Sequence, residues 1–486
     1  MWQKALVVGV GGCLLASGCE QVLGARLSVE ELAILKAQLK AEILAEIRAE
    51  QAKEKHKTFA ESKKHVEKIK PTETVAIVDD NEKSAAKPVR DGKYKGHIKS
   101  ESMKTYWKFD GRVAFNASYA NHPTGQGYAT SNIFSDLKYD AAKAGTNDRA
   151  KEFRCGAKNS RLSFSTITPV AWGEDTKDFK TRLELDLNGK SDSDEQVTNA
   201  IKPRCRHVYV SIGPLLIGQT SSLFAGSVSG MIDGIDVTSP AGDCCIRQPQ
   251  IRYTYDFPDK SKKWMVAMEN PETDGIDKGG GQAKKYDANR SNSLDIVPDL
   301  VSKFICKLDG MELSFAGLLR RLRIRHKDNK FSSATGYGLG AEGKFYLTEL
   351  DTFTAALRVG NGAGRYICDG AISGVYVKNA GDYSKNDIDK QKSLGTVLAI
   401  QHYWNKANSI RSNLGIGFAY AALADDLKKN KVSALKHGYS VHANLVWTPV
   451  PDVLELGVEY VYGYAWMASE HHIIVNRLAC GLTYMF

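Results

Sequence analysis

From residue 106 to its end the chain alternates. Trp107, Phe109, Gly111, Val113, Phe115, Ala117 and Tyr119 interleave with Lys108, Asp110, Arg112, Ala114, Asn116, Ser118 and Ala120. A period of two sends one set to each face of a strand. The pattern returns as Phe179, Thr181, Leu183, Leu185 and Leu187 against Lys180, Arg182, Glu184, Asp186 and Asn188. It returns again along 337–347, 410–420, 439–447 and 454–464. A soluble barrel would turn the apolar face inward and wear the charges as a coat. Two features favour the reverse. The runs exceed the roughly 9–11 residues that cross an outer membrane, and Trp107, Tyr119, Trp447 and Tyr464 stand near strand ends, where membrane interfaces favour amphipathic rings. The expectation is a barrel with apolar groups outside and polar groups inside.

Strands are expected near 106–119, 160–168, 178–188, 204–213, 215–220, 250–256, 263–268, 298–307, 311–320, 335–348, 352–360, 394–404, 409–421, 438–448, 453–464 and 476–486. Sixteen is an even number, as an antiparallel barrel with both ends on one side requires. The connections alternate as well. Long ones fall at 121–159, 189–203, 221–249, 269–297, 361–393 and 422–437, and short ones lie between them. Short turns belong to the periplasm and long loops to the outside. The last strand, Leu478, Cys480, Leu482, Tyr484 and Phe486, alternates to a terminal Phe. Tyr484 and Phe486 resemble the signal by which bacterial barrel-assembly machinery recognises its substrates.

Composition agrees. Of 486 residues, 42% are hydrophobic and 25% charged, which excludes wholesale disorder and a helical membrane bundle. Lys4 followed by the apolar stretch Ala5–Ala16 reads as an export signal over residues 1–24. Leu15-Ala16-Ser17-Gly18-Cys19 resembles a lipobox, so Cys19 is a candidate for lipidation and cleavage after Gly24 or Ala25 is the alternative. Export to the outer membrane of a bacterium leaves no role for nucleic acid or a cytosolic cofactor. Ser28-Val29-Glu30-Glu31 forms a capping box flanked by Leu27 and Leu32. Leu32, Leu35, Leu39, Ile43 and Ile47 then draw a narrow stripe, which predicts a coiled-coil stalk over 25–52. A Lys-rich spacer follows at 53–104, solvated or touching peptidoglycan, and the barrel occupies 105–486.

Specific text strengthens the reading. Arg206-His207-Val208-Tyr209-Val210 leads to Leu216-Ile217-Gly218-Gln219-Thr220, then to Arg247-Gln248-Pro249-Gln250-Ile251-Arg252-Tyr253. Trp447-Thr448-Pro449-Val450-Pro451 precedes Leu456-Gly457-Val458-Glu459-Tyr460. Together with Arg161–Pro169 and Gly360–Tyr366, these segments resemble the DcaP-like outer-membrane porins. The resemblance implies an all-β fold: a 16-stranded antiparallel transmembrane β-barrel with an N-terminal periplasmic α-helical stalk. It also implies a homotrimer and diffusion of small anionic solutes such as dicarboxylates. The longer Lys-rich spacer and nine cysteines depart from the family pattern.

A porin needs no catalytic group; it needs a wet lumen whose charges favour one sign of solute. Phasing turns Arg112, Arg161, Lys180, Arg182, Arg252, Arg320, Arg358 and Arg411 into the lumen, about half of them expected in salt bridges with carboxylates such as Glu184 or Asp186. In the loop at 221–249, Asp233 and Asp236 among glycines suit a tight acidic loop folded inward to face a basic wall, or equally one seated at the mouth. Arg320, Arg321, Arg323 and Arg325 cluster at the outer end of strand nine, where they could gather anions or bind lipopolysaccharide phosphates among the outer-membrane lipids. Cys155, Cys244, Cys245 and Cys368 fall in outer loops where disulfides are permitted, and Cys480 points to lipid. No cysteine or histidine spacing suggests a metal site, and no cofactor is expected. The alternative function is an anchor or adhesin mounted on the barrel. A barrel enzyme lacks a recognisable Ser/His or Asp/His constellation. The net charge of +10 divides into 18 basic and 14 acidic groups in the first 100 residues and 48 against 42 thereafter, so most of the surplus belongs to the barrel.

Overall fold

The structure is a computed structural model that describes residues 93–100, 104–121, 151–189, 202–226, 235, 239–277, 295–325, 331–368, 371–377, 388–405, 407, 409–429, 434–470 and 472–486. The export signal, Cys19, the stalk and most of the spacer lie outside the described residues.

Sixteen long strands form the wall. They are β1 (Thr105–Ala120), β2 (Arg161–Trp172), β3 (Asp175–Gly189), β4 (Lys202–Ile212), β5 (Leu215–Ser221), β6 (Arg247–Asp256), β7 (Lys262–Glu269) and β8 (Asp299–Leu308). The second half comprises β9 (Met311–Arg325), β10 (Phe331–Tyr346), β11 (Asp351–Asn361), β12 (Lys392–Tyr403), β13 (Ile410–Ala422), β14 (Leu435–Val450), β15 (Leu454–Met467) and β16 (His472–Met485). Each pairs antiparallel with its sequence neighbour, and β16 returns to β1 with Arg112 opposite Met485 and Ala120 opposite Arg477. The sheet is therefore closed and has no open edge.

The closure is filled at both ends of β1. Ile98–Ser100 pairs with Trp107–Thr105 beside the end of β16, and Glu152–Gly156 pairs with Ala120–Asn116 above β2. Phe486 exchanges backbone hydrogen bonds with Gly111, and its ring packs on Phe109. A Cβ on Gly111 would stand 2.8 Å from the Phe486 ring, so the small residue makes room for the terminal aromatic. The spacer expected to run free to residue 104 is held from Lys93 onward: Tyr94 packs edge-on against Tyr106 and donates to Asp178 at 2.7 Å.

The polarity is that of a membrane barrel. Phe109, Val113, Phe115, Leu319, Leu339, Leu414 and Val458 are among the exposed apolar side chains of the outer wall, whereas Glu184, Asp186, Arg206, Lys303, Glu342 and Arg358 are buried on the inner side. Alternation produces this because each lumen-facing residue is bracketed by two lipid-facing ones. At one end the strands are joined by short turns, such as 173–174, 213–214 and 309–310; at the other lie the long loops. Segments of those loops add a small sheet of Gly275–Asp277, Val375–Val377 and Ile388–Lys390. Leu223, Phe224, Tyr366, Ile367, Ile372 and Leu427 pack with wall residues into a core inside the long-loop end.

Candidate pore constriction

The loop between β5 and β6 turns into the barrel. Its outgoing limb is held at Leu223, whose amide donates to Glu269 Oε1 at 2.9 Å, and at Ala225, whose carbonyl accepts from Lys303 Nζ at 2.9 Å. Farther along, the Ile235 amide donates to Glu459 Oε2 and its carbonyl accepts from Asn116 Nδ2, both at 2.8 Å. The returning limb is fixed where the Ala241 amide meets Ser440 Oγ at 2.9 Å and where Asp243 lies 3.4 Å from the Arg358 guanidinium. These partners stand on β7, β8, β11, β14, β15 and β1, so the loop runs along that part of the wall.

Glycines on the wall receive it. A Cβ on Gly457 would fall 2.0 Å from Ile235 Cδ1, and one on Gly417 would fall 2.2 Å from the Ala241 carbonyl oxygen. Asp233 and Asp236, singled out from the sequence in this loop, lie outside the described residues. Ile235, Arg112, Arg411 and Glu455 border a polar cavity of about 80 Å³ beside the loop.

Arginines gather on β1–β6. Arg182 Nη2 lies 2.6 Å from Glu184, and Arg206 reaches both Glu184 at 2.7 Å and Asp186 at 3.0 Å. Arg204 is bidentate on Asp186 at 2.7 and 3.0 Å. Arg161 sits farther off, 3.8 Å from Glu184. Arg112 donates to the Asn159 carbonyl at 3.2 Å, and Arg252 to the Ser221 carbonyl at 2.6 Å and Gln250 Oε1 at 3.0 Å. Arg247 Nε is buried with no hydrogen-bond partner among the described residues. Glu184 and Asp186 thus serve four arginines, while Arg112 and Arg252 donate to neutral groups and, like Arg247, have no carboxylate within ion-pair distance among the described residues. Among the described residues this cluster sets seven arginines against the two carboxylates Glu184 and Asp186.

Of the residues singled out from the sequence, Arg112, Arg161, Arg182 and Arg252 belong to this wall. Lys180 is exposed farther down β3. Arg320, Arg358 and Arg411, expected along the path, are instead buried in ion pairs. Arg320 contacts Asp299 at 3.1 Å and caps the Gly362 and Ala363 carbonyls. Arg358 pairs with Glu342 as well as Asp243, and Arg411 lies 2.7 Å from Glu455. They hold loops and wall together.

Arg204, Arg206 and Arg247 were missed. The cause for Arg206 is a β-bulge: Glu184 faces His207 while Leu185 faces Cys205, leaving Arg206 as the extra residue. Strict alternation would send Arg206 and His207 to opposite faces, but the bulge points both inward and re-phases the strand so that Val208 and Val210 face outward.

The long-loop side carries a second polar cluster. Tyr366 donates to Asp299 at 2.9 Å and Glu269 at 3.2 Å, and burial, followed by these carboxylates, pushes its hydroxyl well above the ordinary tyrosine range. Of the cysteines, Cys244 and Cys368 are buried, and Cys480 is exposed on the outer wall. Among the described residues no cluster of His, Cys, Asp and Glu could hold a metal.

The chain is similar to the outer membrane channel DcaP of Acinetobacter baumannii, with 21% identity, a TM-score of 0.62 and coverage of 80% of this chain and 99% of that one. Weaker likenesses include the anion-selective porin from Comamonas acidovorans (11% identity, TM-score 0.47, 79% of this chain and 100% of that one) and the trimer form of OmpT from Vibrio cholerae (10% identity, TM-score 0.46, 79% and 99%). No curated protein sequence matches. The model of the DcaP outer membrane protein family matches residues 81–485, and the chain belongs to that family of outer-membrane channel proteins.

Proposed function

We propose that this protein is a passive channel that favours small anionic solutes of the dicarboxylate kind. The observation that carries the reading is the arginine wall on β1–β6: Glu184 and Asp186 are already engaged by Arg182, Arg204 and Arg206, and Arg112, Arg247 and Arg252 have no carboxylate within ion-pair distance among the described residues. The inward loop narrows the passage beside that wall. In a confined lumen such charges raise the local concentration of anions and lower their barrier.

The assembly we infer is a homotrimer in the bacterial outer membrane, with the N-terminal helices associating in the periplasm, near peptidoglycan. Tyr484 and Phe486 serve as the recognition signal for barrel assembly before Phe486 seals β16 against β1. Purified protein in planar bilayers tests the channel directly. Stepwise conductance is expected, and its absence would leave the barrel as a mount for adhesion or anchoring.

A further inference from the structure

The arginine cluster of β9 is divided between two environments. Leu322 and Ile324 are buried against Val375 and Val377 of an outer loop, so alternation turns Arg321 and Arg323 to the outside of the barrel. The outward column of β9 reads Leu313, Phe315, Gly317 and Leu319 before it reaches Arg321. In register on β10, Leu339 and Tyr337 give way to Thr335 and Ser333. Leu319 and Tyr337 are each about half exposed, at 50% and 52%, and mark the last apolar level before the long-loop end. Arg321 is the first charge above it on this outward column.

That guanidinium is held ready. Nη1 donates to Thr335 Oγ1 at 3.2 Å and Nη2 to Ser333 Oγ at 2.5 Å, and no carboxylate pairs with it among the described residues. Arg323 lies one outward position higher, over the Phe331 ring at 3.6 Å. Below the two arginines the wall is hollowed into an apolar groove of about 480 Å³ between Phe304, Phe315, Leu339 and Leu357, with Gly317 and Ala341 as its small residues. A Cβ on Gly317 would meet nothing within 4 Å, so the groove opens outward.

We propose that this groove and its arginine rim bind a phosphorylated glycolipid of the outer leaflet, the lipid A part of lipopolysaccharide. An acyl chain would lie along Gly317, and a phosphate would meet Arg321 and Arg323. Guanidinium forks match phosphate oxygens in charge and geometry. The Ser333 and Thr335 hydroxyls beside Arg321 add donors that a phosphate can share. Charge complementarity selects this occupant over a second barrel, whose apolar wall would leave the Arg321 charge without a counterion in a desolvated contact.

The test uses full-length protein in detergent, measured by native mass spectrometry with diphosphoryl lipid A and with phosphatidylglycerol. Diphosphoryl lipid A is expected to bind in preference. The Arg321→Ala/Arg323→Ala double variant should weaken it by about tenfold or more, and Gly317→Phe, which fills the groove, should weaken it as well. All variants should keep the heat-modifiable gel migration of a folded barrel. Equal lipid A binding by the double variant would overturn the proposal, as would phosphatidylglycerol binding as tightly as lipid A. A Gly317→Phe variant that changed the number of subunits while leaving lipid A binding intact would assign the groove to a second copy instead.

Discussion

Ile235 and Glu459 meet through a 2.8 Å hydrogen bond although 224 positions separate them in the chain. One residue belongs to the loop leaving the barrel after β5, and the other belongs to β15. Their contact holds the loop against the inner face of the wall, and it depends on the absence of a side chain at Gly457.

Gly457→Leu should therefore expel the loop. The nearest atom to a Cβ at that position is Ile235 Cδ1 at 2.0 Å, so the added side chain and Ile235 cannot both occupy the wall. The barrel should remain folded because the obstruction lies at the loop and not within the strand ladder. Larger single-channel conductance with unchanged gel migration is the expected result, and unchanged conductance would show that the loop does not set the aperture.

A buried charge network holds the limbs of the same loop. Lys303 bonds both the Ala225 carbonyl and Glu342, and Arg358 joins Glu342 to Asp243. Removing one member strands an opposite charge away from water, which costs about 3–5 kcal/mol in buried sites. Arg358→Met should lower the denaturant midpoint by a corresponding amount and make the channel noisy. Arg358→Lys should lose less. A midpoint within error of the parent would contradict the network's role.

Acidity should tighten the loop between β7 and β8. Asp295 accepts from the Thr273 amide at 2.8 Å and from its hydroxyl at 2.7 Å. Burial nevertheless raises its carboxyl above the ordinary aspartate value, with the Thr273 bonds pulling the other way. A folded-state value above the unfolded one means that the folded loop binds its proton more tightly. Stability is then lost as pH rises from about 3.9 through the raised value, and regained on acidification. Hydrogen exchange, corrected for intrinsic rates, should show Thr273 better protected at low pH than at neutral pH. Asp295→Asn should remove the difference.

Much of this was legible before any coordinates. Period-two alternation and loop parity anticipated sixteen strands, and their expected boundaries fall within a few residues of the observed ones, as at 409–421 against Ile410–Ala422 and 453–464 against Leu454–Met467. Alternation works because each face has a different solvent. It fails where the register breaks, which is why the bulge on β4 hid Arg204 and Arg206. It also assigns a face without assigning partners. Arg182 and Arg358 have the same phase in the sequence, yet one borders the passage and the other is sealed beneath the returning loop by Asp243, 115 positions away.

Arginines on β1–β6 that have no carboxylate partner among the described residues are expected to set the choice of ion. The most direct measurement is the zero-current reversal potential across a planar bilayer under a potassium chloride gradient. The parent protein should show anion preference. Neutralising the unpaired wall with Arg112→Gln and Arg247→Gln should move the potential toward the cation side, while Arg321→Gln on the outer face should leave it in place. A cation-selective parent, or a reversal potential that the two wall substitutions do not move, would contradict the account.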